Sequence, residues 1–318
     1  MKKYFLSLIA GLILVFASCA QRPEVENCER QKMENCDITA WTDIAGNDKI
    51  AVIFNGELRE YSVENGSLSY ISSDSTNTYC CFANDPNYLV AITSTGTVVT
   101  DYPYDRDTLS DVLSQKEHII HEAGGNMGES DNPDVVDSIQ SINSVKQMIS
   151  DFPRRYVYLN DKGEVLNEKN ELIAKEGSIV QFSLFDSFTA LLEDGSLWSG
   201  KDSVNDAAFD SWSNITYITG DSAALFGVNS QGNVLSTDKN IASITRDWKD
   251  VCELSYNLNT LVALTSAGTA YACKGKYGYE YNQTDVYDWH DLISIYTNGK
   301  LTVGLTSDGS VLVTDSNN

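Results

Sequence analysis

Residues able to do chemistry are sparse in this 318-residue chain, and few of them stand at working spacings. His118 and His121 lie three apart between Glu117 and Glu122, a spacing that can place two imidazoles on one metal ion. The chain has only three His and no HExxH pattern, so the pair reads as a solvated helix face and no metal site is assigned. Glu193-Asp194 and Asp308 occur in turn sequences, where Asp suits the backbone. A glycosidase would need two carboxylates facing a cleft about 5 to 10 Å apart, which sequence alone does not show. Neither a nucleophile elbow, a phosphate loop nor a catalytic Cys signature occurs, so no catalytic residue and no cofactor is assigned. The best aromatic candidates for a binding surface are Tyr277, Tyr279 and Tyr281, in the segment Tyr277-Gly278-Tyr279-Glu280-Tyr281. Rings with an apolar body and a polar tip suit sugar or protein contact.

Seven cysteines carry the remaining reactive chemistry. Met1-Lys2-Lys3 supplies a positive start, Leu6 to Phe16 is an almost unbroken apolar run, and Ala17 and Ser18 are small. Such a run is too short to span a bilayer and reads as a secretory signal over residues 1–18. Phe16-Ala17-Ser18-Cys19 resembles a bacterial lipobox, in which the thiol of Cys19 receives a diacylglyceryl group and becomes the first mature residue. Acyl chains then hold the protein on a membrane through a polar tether, residues 19–36. The expected location is the bacterial cell envelope, outside the cytoplasm. Export permits disulfides. Cys28–Cys36 is the best candidate, closing a short loop at the base of the tether. Cys80 and Cys81 are adjacent and would close only a strained ring. Cys252 and Cys273 fall on the first and third strands of one repeat, too far apart to bond.

Composition narrows the partners. Against 45 Asp+Glu stand 22 Lys+Arg, a formal charge of −23, which becomes −25 once Lys2 and Lys3 leave with the signal. A chain this acidic has no electrostatic footprint for nucleic acid and no polybasic attraction to anionic lipid. With 42% hydrophobic and 21% charged residues, it has ordinary globular usage, which excludes wholesale disorder.

The elements that must position any site are repeats. Gly56, Gly96, Gly163, Gly195, Gly232, Gly268 and Gly309 each sit in a turn between two alternating runs, the pattern of a β-hairpin. Four residues before them stand Val52, Ile92, Leu159, Leu191, Val228, Leu264 and Leu305; two after stand Leu58, Val98, Val165, Leu197, Val234, Ala270 and Val311. These columns put one buried side chain on each of two paired strands. The position five before is small in six copies (Ala51, Ala91, Ala190, Gly227, Ala263 and Gly304), suggesting that a neighbouring sheet approaches closely there. Trp212, Trp248 and Trp289 each precede their glycine by 20 residues and lead into what reads as an irregular or bulged inner strand. Trp41 stands only 15 before Gly56, so the first unit is shortened or atypical. About 40 residues per unit is propeller-blade size. The expected fold is all-β, a seven-bladed β-propeller over residues 37–318, favoured over a solenoid.

The pattern W-x-[DN]-[IVL] followed by [AG]-[LV]-x-x-[DQ]-G-x-[VL] resembles the repeat of the regulator of chromosome condensation family, in its short bacterial form. Trp212 to Leu235, Trp248 to Tyr271 and Trp289 to Leu312 carry it most clearly, while the family's tryptophan-glycine ending survives only as Trp198-Ser199-Gly200. The resemblance implies a β-propeller. The family's best-known members activate a small GTPase, a role not carried over to an exported, lipidated chain. Between the second and third turn glycines lies an insertion, about residues 103–153. Asn132-Pro133-Asp134 is a helix start there, and Val135, Ile139, Ile142, Val145 and Ile149 recur at helical spacing, although Val145 to Ile149 also reads as the third blade's inner strand. The insertion is either a recognition arm or a decoration packed on the rim. The function expected is that of a monomeric, non-enzymatic binding scaffold for protein or glycan. The alternatives are an extracytoplasmic carbohydrate-active hydrolase with its site at the propeller mouth and, more weakly, a structural cap of an envelope assembly.

Overall fold

In a computed structural model the described residues are 35–42, 45–64, 66–84, 89–94, 98–100, 147–151, 155–160, 162–167, 171–175, 178–185, 188–200, 209, 211–275 and 284–314. They are nearly all strand, arranged as seven successive antiparallel meanders, here called units. The first is four-stranded: β1 (Asp37–Thr42), β2 (Asp48–Phe54), β3 (Glu57–Glu64) and β4 (Ser67–Asp74). The second contains β5 (Tyr79–Asn84), β6 (Val90–Thr93) and β7 (Val98–Thr100). The third contains β8 (Gln147–Asp151), β9 (Arg155–Leu159), β10 (Val165–Asn167) and β11 (Leu172–Ala174). Four three-stranded units follow. They are β12 (Ile179–Ser183), β13 (Thr189–Leu192) and β14 (Leu197–Ser199); then β15 (Ile215–Gly220), β16 (Leu225–Asn229) and β17 (Val234–Ser236). Next come β18 (Val251–Asn257), β19 (Thr260–Thr265) and β20 (Ala270–Lys274), and last β21 (Leu292–Thr297), β22 (Thr302–Thr306) and β23 (Val311–Val313). One short helix, α1 (Lys239–Thr245), lies between the fifth and sixth units; Asp238 caps it by accepting from the amides of Asn240 and Ile241.

The turn glycines lie between the second and third strands, as the spacing predicts; Gly96 itself is outside the described residues. The other six have φ between 71° and 85°. Each of these also reaches the adjoining unit. The carbonyls of Gly195, Gly232 and Gly268 accept from the amides of Ile215, Val251 and Leu292, the first residues of the next inner strands, at 3.0, 3.1 and 3.0 Å. A Cβ on Gly232 would stand 2.8 Å from Cα of Asp250. The glycine is therefore required twice, by its positive φ and by the next unit's backbone.

The inner strands are bulged, as expected. β5, β12, β15, β18 and β21 each slip register at the same place, leaving Cys80, Val180, Thr216, Cys252 and Ile293 as extra residues. Asn214, Asp250 and Asp291, just before β15, β18 and β21, have φ of 54°, 57° and 57°. That explains the [DN] column of the repeat, because Asn and Asp tolerate the left-handed region better than other side-chain-bearing residues.

The small column faces the preceding unit, as expected: Ala91, Ala190 and Ala263 lie in cores shared with that unit's side chains. At Gly227 and Gly304 the same unit's tryptophan ring also stands close, with Trp212 Cζ3 2.9 Å from a Cβ built on Gly227 and Trp289 3.1 Å from one on Gly304. The paired columns, by contrast, fail in the first unit. Six units pair the residue four before the glycine with the residue two after, for example Leu305 with Val311, whereas the first pairs Ile53 with Leu58. Its turn, Asn55-Gly56 with φ of 52° and 82°, is one residue shorter, and a one-residue slip turns every side chain to the other face. Trp41 is likewise not the upstream tryptophan of the other units; it lies within β1, fully buried against Tyr79 and Phe82 of the second unit.

Cys36 is buried as an unbonded thiol; its expected partner Cys28 lies outside the described residues. Cys252 and Cys273, on β18 and β20, are not bonded, as the strand order requires. Cys19, the signal and His118 and His121 also lie outside the described residues, as do residues 101–146 of the insertion region. Residues 147–151 are strand β8, so the inner-strand reading holds there.

Candidate functional site

The inner strands pack in succession, β1 on β5, β5 on β8, β8 on β12, β12 on β15, β15 on β18, β18 on β21, and β21 back on β1. Their side chains fasten one unit to the next. Asp37 Oδ2 accepts from the amide of Phe82 at 3.0 Å, Gln147 Oε1 from that of Phe182 at 2.8 Å, and Gln181 Oε1 from that of Ile218 at 2.8 Å. Gln147 also donates through Nε2 to the Phe182 carbonyl at 2.9 Å. Between β5 and β8 the backbones pair directly and in parallel, at Ala83–Met148 and Asn84–Ile149. The last unit meets the first in one core, where Tyr296, Val303 and Leu305 join Ile38, Ile50 and Val52. The Lys300 ammonium lies 2.7 Å from the buried carboxylate of Asp48, which also accepts from Thr42.

Equal polarity at each seam puts equivalent ends of the units on the same side. One side holds the turn glycines. The other holds the links between first and second strands, described at Ala45–Asn47, Asp221–Ala224, Leu258–Asn259 and Asn298–Leu301. On that second side the chain also leaves β7 at Thr100 toward the insertion, and leaves β20 at Gly275 toward Tyr277, Tyr279 and Tyr281. Gly275 donates its amide to the Asn259 carbonyl at 2.6 Å, which fixes that exit beside the Leu258–Asn259 turn. The three tyrosines themselves lie outside the described residues.

Among the described residues of these links one large hydrophobic is exposed. Leu258 is 47% exposed with φ 45°, a bulky side chain in the left-handed region at a turn apex, resting on Gly299 of the next unit. Sequence reading missed it. The Asn residues around it, in Asn257-Leu258-Asn259, were the available turn signal.

Burial pushes the Cys273 thiol up to about 12, with the Asp238 carboxylate adding to it. Burial alone pushes the Tyr158 phenol up to about 12. Burial would raise Asp74, but the hydroxyls of Thr76 and Tyr79, the Thr76 amide and the Asn77 side chain hold it below the ordinary carboxylate range. Glu164, Asp194 and Asp308 are also held low, by Lys175, Ser196 and Thr306 respectively. Every described carboxylate with a resolved shift is thus lowered. Among the described residues no group of three or more His, Cys, Asp or Glu is placed to hold a metal ion.

No protein-family model matches the chain, and no curated protein matches its sequence. Solved structures do match in shape. Prp20p of Saccharomyces cerevisiae is 11% identical with a TM-score of 0.52, over 88% of this chain and 81% of that one. Yeast RCC1 (Prp20), solved with Kap60, is 10% identical with a TM-score of 0.53, over 89% and 79%. The fold is that of an RCC1-like β-propeller. PorZ, a surface component of the type-IX secretion system of Porphyromonas gingivalis, is 13% identical with a TM-score of 0.49; this chain spans 37% of its length.

Proposed function

We propose that the seven units are blades of one closed seven-bladed β-propeller, with a helical insertion between the second and third. A lipid on Cys19 holds it to the bacterial cell envelope, outside the cytoplasm, where it serves as a monomeric, non-enzymatic binding scaffold for a protein or glycan. The observation that carries this reading is positional. The insertion and the Tyr277–Tyr281 segment leave the sheets on the same side of the molecule, the side away from the turn glycines. Long segments on a rigid frame are where recognition concentrates. Closure is supported by the core and ion pair joining the last unit to the first.

One further observation supports a binding role. The yeast structures of similar shape concern binding to Gsp1p, histones and Kap60, all protein partners. With a formal charge of −23, the favoured partner presents a basic surface.

A pull-down from envelope extracts and a glycan array, each with wild type and a Tyr277→Ala/Tyr279→Ala/Tyr281→Ala chain, test the reading. Retention by wild type and loss in the variant is expected. Hydrolysis of polysaccharide by the purified protein with a bell-shaped pH profile would end the scaffold reading. Labelling with radioactive palmitate that survives Cys19→Ala would end the lipid assignment.

A further inference from the structure

The bulge in β5 differs from the other four in its chemistry. In a regular strand, neighbouring side chains point to opposite faces, which would keep adjacent thiols on opposite sides of the sheet. The slip between Tyr79 and Cys81 makes Cys80 the extra residue and re-aims it, so the two Sγ atoms stand 3.8 Å apart. Cys80 is half-buried, its Sγ 3.3 Å from the Ile92 carbonyl, and Cys81 is 8% exposed. Cys36 and Cys273, by contrast, are enclosed in separate hydrophobic cores.

We propose that Cys80 and Cys81 form a reversible redox site that closes to a vicinal disulfide by exchange with a small disulfide of the glutathione class. The Cys80 thiolate attacks one sulfur of the small disulfide, and the first small thiolate leaves and takes up the proton that Cys80 lost. The Cys81 thiolate then attacks Cys80 Sγ and expels the second small thiolate, which takes up the proton from Cys81. Two protein thiols are oxidised and one small disulfide is reduced to two thiols. The sulfurs must close to about 2.05 Å. A ring through a single peptide bond is strained, which makes the bond easily reduced and suits a switch rather than a staple. The place matters as well, because Ala83 and Asn84 of the same strand form the parallel seam with β8, where the chain returns from the insertion. Occupancy in the cell rests on the exported, lipid-anchored reading. Ring closure in the purified chain does not, so the two fail separately.

The test equilibrates the purified full chain with oxidised and reduced glutathione, quenches with acid, alkylates and maps peptides by mass. The peptide holding Cys80 and Cys81 should lose two hydrogens and escape alkylation, and dithiothreitol should reverse this. Closure should be favoured by about tenfold or more over the same chain in urea, because only the folded chain has the bulge. Cys81→Ser should accumulate a stable glutathione adduct on Cys80. Alkylation of both thiols at every glutathione ratio, or equal closure in urea, would overturn the proposal. So would a Cys81→Ser chain that gathers no adduct.

Discussion

The first and last units meet across one shared core, yet they build their hairpins by different rules. The last unit turns through Ser307-Asp308-Gly309, where Asp308 accepts from the Ser310 amide and the Thr306 hydroxyl, and its inner strand carries a bulge at Ile293. The first turns through Asn55-Gly56 alone and pairs β1 with β2 without a slip. Consequently Val52 and Leu305, both four before their glycines, face each other in the seam, instead of both pointing onward to the following unit. A repeat is thus held together by which face each residue shows, and turn length decides that face more firmly than the identity of the column.

Lengthening the first turn is the most direct way to break this contrast. One residue inserted between Asn55 and Gly56 would rotate Ile50 and Val52 out of the shared core, at a cost of about 3 kcal/mol or more. Urea denaturation reads it; a loss under 1 kcal/mol, by the order of magnitude expected for surface changes, would show that register is not pinned there.

Glycine replacement comes next. Gly232→Ala forces a Cβ to 2.8 Å from backbone at Asp250, and should cost about 2–3 kcal/mol. Gly56→Ala meets only the Thr78 methyl, at 2.9 Å, and should cost about 1 kcal/mol. Equal losses would mean that positive φ alone, and not the next unit's approach, fixes the glycine.

Lys300→Met removes the partner of a buried carboxylate at the seam and should cost about 1–2 kcal/mol, less than for a fully enclosed pair because Lys300 keeps some exposure. Adding Asp48→Asn should recover part of that loss in a double-mutant cycle. Among the inter-unit fastenings, Gln147→Leu should exceed Gln181→Leu, which is expected near about 1 kcal/mol, because Gln147 uses both its carbonyl and its amide.

The smallest effect separates the two units by pH. Asp74 of the first unit has a lowered pKa, so its stabilisation is fully present above the ordinary carboxylate value and fades as pH falls through the lowered one. Asp74→Asn should flatten the acid limb of the stability curve. Asp308→Asn, at an exposed turn, should leave it almost unchanged.

Much of the frame was legible because its signals are local. Six described glycines fall in the turns that their spacing marks, and the tryptophan segments do lead into bulged strands. The [DN] column was visible but unexplained until Asn214, Asp250 and Asp291 showed positive φ. The first unit misled because its Val52 fits an aliphatic column whose geometry it does not share. Leu258 escaped notice, since an exposed leucine looks ordinary in sequence and becomes unusual only through its backbone.

The sequence by itself determined the repeat, the hairpin at each glycine and the acidic character of the surface, because turn chemistry, strand alternation and charge are properties of short segments. Tertiary structure alone decided which unit each face meets, which end gathers the departing segments, and that two adjacent thiols share a side. Those outcomes depend on register and on slips of one residue, which leave residue types unchanged while reversing where they point.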